Sequence, residues 1–438
     1  MKQILVLGAG KSSGVLIQWL LDRAQANDWK VVVADAALSV AQKAIGNNIY
    51  GEAKAINTNS PSEVAALISS CDLVISMLPP ALHPMVAEHC LNAKKHLLTP
   101  SYISDKMLAF DAQAQQSGLT FLNEMGLDPG IDHISACQML DEIKERGGEV
   151  KSFKSHCGGL VSKASDNNPW HYKFTWNPRN VVLAGQGEKP IQWLENNKHQ
   201  TLPYEELFAH AQPIQTQSGE LFETYPNRDS LSYIEVYGLN GVETFYRGTL
   251  RAKGFCEAWQ FLVQLGYCDD NNEITLNAGE TYGEFTDRLV NASTNRFVLD
   301  TTMGSDSFQK FLWLGLYQKD EIGLQKATPA QVLQKRLEEK WKFEPNDTDR
   351  VVMLHEVEYE LNGKRYKQTA ELDRSGTLQH TAMAETVGLT IAIAAKLILD
   401  GSIKKSGVLR PISKEIYVPV LDALKHYGIA FQHNEVAL

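Results

Sequence analysis

The run from Met1 to Ala36 constrains the fold of this chain more than any other. Lys2-Gln3-Ile4-Leu5-Val6-Leu7 reads as a short apolar strand, Gly8-Ala9-Gly10-Lys11-Ser12-Ser13-Gly14 as a glycine turn, and Val15 to Leu21 as the start of a helix. A second apolar run, Val31-Val32-Val33-Ala34, stops at Asp35. Strand, glycine turn, helix, strand and acidic residue form a device for holding a dinucleotide. The glycines let the backbone approach a pyrophosphate, and the helix presents its N–H groups and positive dipole end to that anion. The carboxylate, about twenty residues past the turn, accepts hydrogen bonds from a ribose and repels a phosphate at the same place. Asp35 therefore favours NAD, with NADP as the alternative. The spacing Gly-x-Gly-x-x-x-Gly is longer than the common motif and alone would fit an ordinary strand-to-helix turn. Its position and Asp35 decide for the nucleotide.

A chain of 438 residues needs more than one domain, and 43% hydrophobic residues supply the cores. Asp and Glu number 52 against 42 Lys and Arg, a net charge of −10 that disfavours nucleic acid as a partner. The cysteines, Cys71, Cys90, Cys137, Cys157, Cys256 and Cys268, are scattered. With no Cys-x-x-Cys pair and no His-x-x-x-His, they predict a reducing, cytoplasmic setting and no metal site. The opening strand is unlike a signal peptide. Val387 to Leu399 contains Lys396 and falls short of the roughly 20 residues that span a bilayer, so it reads as a buried helix and no membrane is expected.

Up to about Asn123, short apolar runs alternate with helical ones, as in a parallel sheet covered by helices. Asp72 to Leu78, His96 to Thr99 and Thr120 to Asn123 are the later strands. Ligands of such sheets lie outside the carboxyl ends of the strands, which directs attention to the loops at Asn57, Leu78, Pro100 and Gly126. Beyond Gly130 the pattern becomes α+β. Val150 to Cys157 alternates like a strand with one wet face, Ser232 to Tyr237 and Arg350 to His355 are strand-like, and Cys256 to Phe343 is helical and charged.

Asn123-Glu124-Met125-Gly126-Leu127-Asp128-Pro129-Gly130-Ile131-Asp132-His133, followed by Ser155-His156-Cys157-Gly158-Gly159-Leu160, resembles the saccharopine dehydrogenases of the glutamate-forming type. Ser101-Tyr102, Asn168-Pro169, Tyr172-Lys173-Phe174-x-Trp176, Tyr225-Pro226-Asn227-Arg228-Asp229-Ser230, Arg247-Gly248-Thr249-Leu250-Arg251 and Gly407-Val408-Leu409 extend the likeness over nearly the whole chain. The resemblance implies a Rossmann-type dinucleotide-binding domain over 1–127, completed by about 385–438. It also implies an α+β substrate-binding domain over 128–384, with a helical insertion at about 258–345. The implied reaction takes saccharopine, NAD(P)+ and water to L-glutamate and 2-aminoadipate 6-semialdehyde, reversibly, in lysine metabolism. Asp35 points towards the oxidative direction.

Carried over by the resemblance, cofactor contacts fall on Gly8, Ala9, Gly10, Lys11, Ser12, Asp35, Ala36, Asn57, Thr58, Leu78, Pro100, Ser101, Leu127, Asp128, Pro129 and Asn177. Substrate contacts fall on Ser101, Tyr102, Asp128, Arg228, Thr249, Leu250 and Arg251. Arginines suit a substrate with three carboxylates, because the guanidinium pairs a carboxylate bidentately; Asp128 suits its amines. The chain departs from the family in three places: Asp35 where NADP-using members carry a basic residue nearby, Pro100 where threonine is usual, and Asn57 where aspartate is common. Pro100 has no N–H to donate.

Asp128, Cys157 and Tyr102 are the candidate catalytic groups. A buried cysteine is ordinarily inert packing, and Tyr102 serves equally well as a structural hydroxyl. His156 should point away from the face of Cys157 on an alternating strand, and neither it nor His133 is assigned catalysis. Trp170, Trp176 and Trp193 read as core or interface, and Gln334 to Lys340 as a solvated helix face. The rival readings are a homospermidine-synthase-like or carboxynorspermidine-type dehydrogenase, a lysine-forming saccharopine dehydrogenase, and a non-catalytic NAD(H)-binding adaptor. The expected partner is a small molecule, with a homodimer open as the assembly.

Overall fold

The computed structural model describes residues 1–187, 190–291 and 293–438. The chain forms two compact units, one from residues 1–147 and 379–431 and the other from 148–378 and 432–438.

The first unit is a parallel sheet. Its strands are β1 (Lys2–Leu7), β2 (Trp29–Asp35), β3 (Gly51–Ala55), β4 (Leu73–Ser76), β5 (His96–Leu98) and β6 (Thr120–Leu122), with Gly407–Leu409 added beside β6. The order across the sheet is Gly407–Leu409, β6, β5, β4, β1, β2, β3, so strand order reverses between β1 and β4. That switch point is where an open α/β sheet leaves a crevice for ligand. Sheet residues are buried on both sides, as helices on both faces require. Leu5, Leu7, Val32, Ala34 and Val74 fill one core with Val64, Val86 and Cys90, and Ile4, Val6, Val31 and Val33 are buried as well. The helix Ala382–Leu399 would pass for a membrane span by length and apolarity, but 72% of it is buried inside the protein. It packs on the helix Gly14–Asn27, and a Cβ on Gly388 would come within 2.8 Å of the Leu16 nitrogen.

The helix Ile131–Glu145, which the sequence assigned to the substrate domain, belongs to this unit, and the crossing comes at Gly147–Gly148. The reason is packing: the helix rests on Lys414–Lys425, where the Tyr417 hydroxyl bonds Asp141 at 2.5 Å. The last strand, Gln432–Ala437, pairs with Lys364–Ser375 in the second unit and does not complete the first.

The second unit is built on a mixed sheet. It contains β7 (Glu149–Val161), β8 (Ile191–Glu195), β9 (Lys198–Leu202), β10 (Gln212–Gln215), β11 (Leu221–Pro226) and β12 (Thr244–Ala252), with the long hairpin Asp349–Leu361 and Lys364–Ser375. The helices Phe255–Gln264, Tyr282–Val290, Ser293–Thr302, Asp306–Leu314 and Pro329–Lys340 enclose an aromatic core containing Trp170, Tyr172, Phe255, Trp259 and Trp341. Trp176 packs on that core, half-buried. Two readings need correction. Ser232–Val236 is a helix: Tyr233 and the C-terminal cap residue Tyr237 are buried while Glu235 between them is exposed, and a strand would put all three on one face. In the charged run of Pro329–Lys340, Arg336 is 4% exposed and donates to the carbonyls of Leu314 (2.7 Å) and Gly315 (3.0 Å), so this face is only partly solvated.

Candidate active site

Gly8 opens the turn after β1 with φ +94°, and a Cβ there would lie 3.1 Å from the Met77 carbonyl oxygen beyond β4. Both the conformation and the close approach require glycine. The Ala9 N–H donates to Asp35 Oδ2 (2.9 Å) and the Ala37 N–H to Oδ1 (3.1 Å), which fixes the carboxylate at the mouth of the turn. A Cβ on Gly10 or Gly14 would meet nothing within 4 Å. The turn therefore faces open space in front of the helix Gly14–Asn27, an arrangement that fits a dinucleotide pyrophosphate. Lys11 and Ala36 are exposed beside it, and Ser12 is half-buried. Asn57 is held in its own loop: its Oδ1 accepts from the Asn59 N–H (3.0 Å), with Thr58 half-buried between them. Leu78 is half-buried against the sheet core.

The loop after β5 is fixed through its carbonyls. Thr99 and Ser101 accept from the N–H groups of Met125 and Glu124, both at 3.1 Å. The Tyr102 hydroxyl then donates to Asp128 Oδ1 at 2.9 Å, joining two of the candidate catalytic groups. Around Asp128 the chain closes on itself. The Asp128–Pro129 peptide is cis, the Gly126 N–H donates to the Pro129 carbonyl (2.9 Å), and Gly130 has φ +146° with a would-be Cβ only 2.1 Å from the Gly126 oxygen. Pro100 lies against the same turn, 3.2 Å from a would-be Cβ of Gly126. Leu127 and Pro129 are buried within the loop.

Under this loop sits a charge cluster that the sequence did not announce. Glu124 is fully buried and meets His133 Nε2 at 2.8 Å and Arg410 Nε at 3.1 Å, and it accepts from the Ile103 N–H (3.0 Å). Burial by itself would raise its pKa; the bond and charge of His133, the charge of Arg410 and the Ile103 N–H outweigh it and hold the carboxyl down to about 2. His133 is thus engaged in structure. A second missed residue, His83, opens the helix after β4 and bonds Ser76, Thr99 and Ser101. Its only sequence signal is a histidine just past a strand's carboxyl end.

In the second unit, Cys157 on β7 pairs with Thr249 on β12, which pairs with Tyr225 on β11. Paired residues share a face, and Arg251, two residues along from Thr249, joins them. His156 points to the other side, as expected: its Nδ1 meets Thr224 Oγ1 at 3.0 Å, and burial, with Lys154 and Lys367, lowers its pKa to about 3. Leu250 also faces that side and packs with Leu160, Phe222 and Val352. Any ligand contact at Leu250 therefore falls on its backbone.

Arg251 is 3% exposed, and its guanidinium lies 5.2 to 5.7 Å from the rings of Tyr172, Phe255 and Tyr225. Among the described residues no carboxylate pairs with it. Its cross-strand neighbour Glu223 is turned to the N–H groups of Gly254 (2.6 Å) and Cys256 (3.0 Å). Burial raises the pKa of both Tyr172 and Tyr225, so neither phenol supplies a negative charge. One Nη donates to the neighbouring Leu250 carbonyl (2.9 Å), and Nε has no bonding partner. A desolvated cation of this kind is costly when alone and is stabilised by an anion placed beside it. Arg228 is exposed, with φ +53°, in the turn beyond β11. Asn177 is also exposed and caps the helix Pro178–Val182 through its Oδ1 (3.0 Å to the Arg179 nitrogen). Trp193 is half-buried, edge-on to Tyr246.

Residues 4–122 match the family model for the saccharopine dehydrogenase NADP binding domain, and residues 126–429 match that for the saccharopine dehydrogenase C-terminal domain. The chain is 34% identical, over 100% of its own length and 99% of the relative's, to the saccharopine dehydrogenase [NADP(+), L-glutamate-forming] of Pyricularia oryzae. The protein of the same description in Saccharomyces cerevisiae is 35% identical, with both chains covered in full. A solved structure of apo histidine-tagged saccharopine dehydrogenase (L-Glu forming) from Saccharomyces cerevisiae superposes with a TM-score of 0.88 at 34% identity, covering 100% of each chain.

Proposed function

Because the chain belongs to the saccharopine dehydrogenase family, we propose that it oxidises saccharopine with a nicotinamide dinucleotide and water to L-glutamate and 2-aminoadipate 6-semialdehyde. The observation that carries this reading is Arg251: a buried guanidinium in an aromatic cage, with no carboxylate of its own among the described residues. Such a group is costly in the free protein and becomes favourable when a substrate carboxylate arrives. Arg228 supplies a second cation for a substrate with three carboxylates.

A nicotinamide dinucleotide held at the glycine turn by the residues around Gly8, Gly10 and Asp35 would supply the hydride acceptor. The chain's own residues bind and orient the substrate. Arg251 takes one carboxylate. Asp128 accepts the N–H of the secondary amine, and the Tyr102 hydroxyl, 2.9 Å away, fixes that carboxylate's direction. Thr249 and Cys157, paired across β12 and β7 on the face of Arg251, touch the substrate beside that carboxylate.

NAD is the cofactor in this reading. The relatives' names carry NADP(+), but Asp35 supports the other choice: its carboxylate is bonded to the glycine turn where an adenosine ribose would lie. Initial rates with saccharopine and either NAD+ or NADP+, with the amino-acid product identified, test both statements. Glutamate formed faster with NAD+ supports them. Lysine as the product, or turnover that survives loss of Arg251, would favour a different secondary-amine dehydrogenase.

A further inference from the structure

His83 is a buried side chain that ties together the carboxyl ends of β4 and β5. Its Nδ1 lies 3.0 Å from Ser76 Oγ, at the last residue of β4. Its Nε2 lies 2.9 Å from Thr99 Oγ1 and 2.8 Å from Ser101 Oγ, just past β5. Ser76, His83 and Thr99 are at most 3% exposed, whereas Ser101 is half-buried and keeps an open side. A buried histidine with a structural role can engage a single hydroxyl, as His156 does with Thr224. This ring instead gathers three hydroxyls, one of them on Ser101, which the family resemblance puts against cofactor and substrate. The backbone of that loop is already fixed by the bonds from Met125 and Glu124 to the Thr99 and Ser101 carbonyls, and Pro100 contributes no N–H. The Ser101 hydroxyl is then the group left to be aimed, and the ring's Nε2 is what aims it.

We infer that His83 is a positioning residue, holding the Ser101 hydroxyl in one rotamer for the ligand at the carboxyl end of β5. The inference rests on the proposed function and on Ser101 touching ligand, as the resemblance to the family implies. Burial lowers the imidazole to about 4, so at neutral pH the ring acts as a neutral hydrogen-bonding bridge and not as a charge.

The test is a double-mutant cycle of His83→Ala and Ser101→Ala, read in kcat/KM for saccharopine and in the dissociation constant of reduced cofactor measured by fluorescence. Each single change should lower kcat/KM about tenfold, near 1.4 kcal/mol. The double variant should fall no further than the worse single, because both remove the same oriented hydroxyl. If His83→Ala does not fold, His83→Leu takes its place in the cycle, while His83→Gln, whose amide reaches the Nε2 position, should keep most of kcat/KM. Nitrogen-15 imidazole spectra, with the His83 signals assigned by their loss in His83→Gln, give a readout independent of turnover. The Nε2 resonance should move in Ser101→Ala. Additive losses of about a hundredfold, or an Nε2 resonance unmoved in Ser101→Ala, would overturn the inference. Absence of any saccharopine-dependent rate in the unmodified protein would instead defeat the proposed function, while the cofactor-binding cycle and the spectra would still test the link from His83 to Ser101.

Discussion

Asp35→Ala should move cofactor preference towards NADP+, by an amount that follows from charge and position. The carboxylate is held by the Ala9 and Ala37 N–H groups at 2.9 and 3.1 Å, and it cannot swing away without abandoning both. A ribose phosphate at the same place carries close to two negative charges at neutral pH. Unit charges about 4 Å apart repel by about 1 kcal/mol in water and about 4 kcal/mol at an effective dielectric of 20. A dianion opposite a half-buried carboxylate is therefore opposed by at least about 2 kcal/mol, a factor of roughly 30 in kcat/KM. Removing the carboxylate also strips two backbone N–H groups of their acceptor, but that cost falls on NAD+ and NADP+ alike and cancels in the ratio. The assay is initial formation of reduced cofactor at saturating saccharopine, with each dinucleotide varied in turn. The ratio of kcat/KM for NADP+ to that for NAD+ should rise roughly 30-fold at low salt, and less at high ionic strength, where screening shortens the reach of the charge. A ratio within threefold of the unmodified enzyme's, or an unmodified enzyme that prefers NADP+, would refute the role given to Asp35.

Arg251→Leu should raise the KM for saccharopine roughly 100-fold or more while leaving the melting temperature unchanged or higher, since it removes a buried cation without a carboxylate partner; a large loss of stability would show that Arg251 is scaffolding. Tyr102→Phe, which frees Asp128 of its 2.9 Å bond, should lower kcat about tenfold with less than about 1.5 kcal/mol of destabilisation by urea titration; unchanged kcat would remove Tyr102 from the site. Glu124 has a folded pKa of about 2 against an ordinary 4.5, so its stabilisation is fully present above pH 4.5 and is lost as pH falls towards 2. The difference is worth about 3 kcal/mol, and acid unfolding of Glu124→Gln should lose that part of its pH dependence. Gly388→Ala should cost about 1 to 3 kcal/mol by overpacking against Leu16; a neutral result would mean that the two helices can separate.

The glycine turn, Asp35 and strands β1, β2, β4, β5 and β6 were legible because each is local: periodicity and turn chemistry act over a few residues; β3, Gly51-Glu52-Ala53-Lys54-Ala55, has no apolar run to mark it. The boundary between the units was not. Ile131–Glu145 carries no mark of which sheet it will cover, and its place depends on Tyr417, far along the chain, finding Asp141. Ser232–Val236 has β-branched and aromatic residues that suit a strand, yet tertiary packing buries Tyr233 and Tyr237 and leaves Glu235 exposed, which only the helix allows.

At the candidate site the division is similar. The sequence by itself determined the dinucleotide turn, the family and the pool of charged residues from which a site could be made, since those depend on residue type and order. It gave the arginines equal standing, whereas the fold leaves Arg228 in a solvated turn and encloses Arg251 among aromatic rings, with Glu223 turned to other donors. It did not mark His83, Glu124 or Arg410, because their bonds join separate elements at separations from 7 positions (His83 to Ser76) to 286 (Glu124 to Arg410), with no regular spacing to read. Whether a charge or an imidazole is paired, desolvated or aimed is decided only when distant strands are brought side by side, because burial and bond direction are properties of neighbours in space.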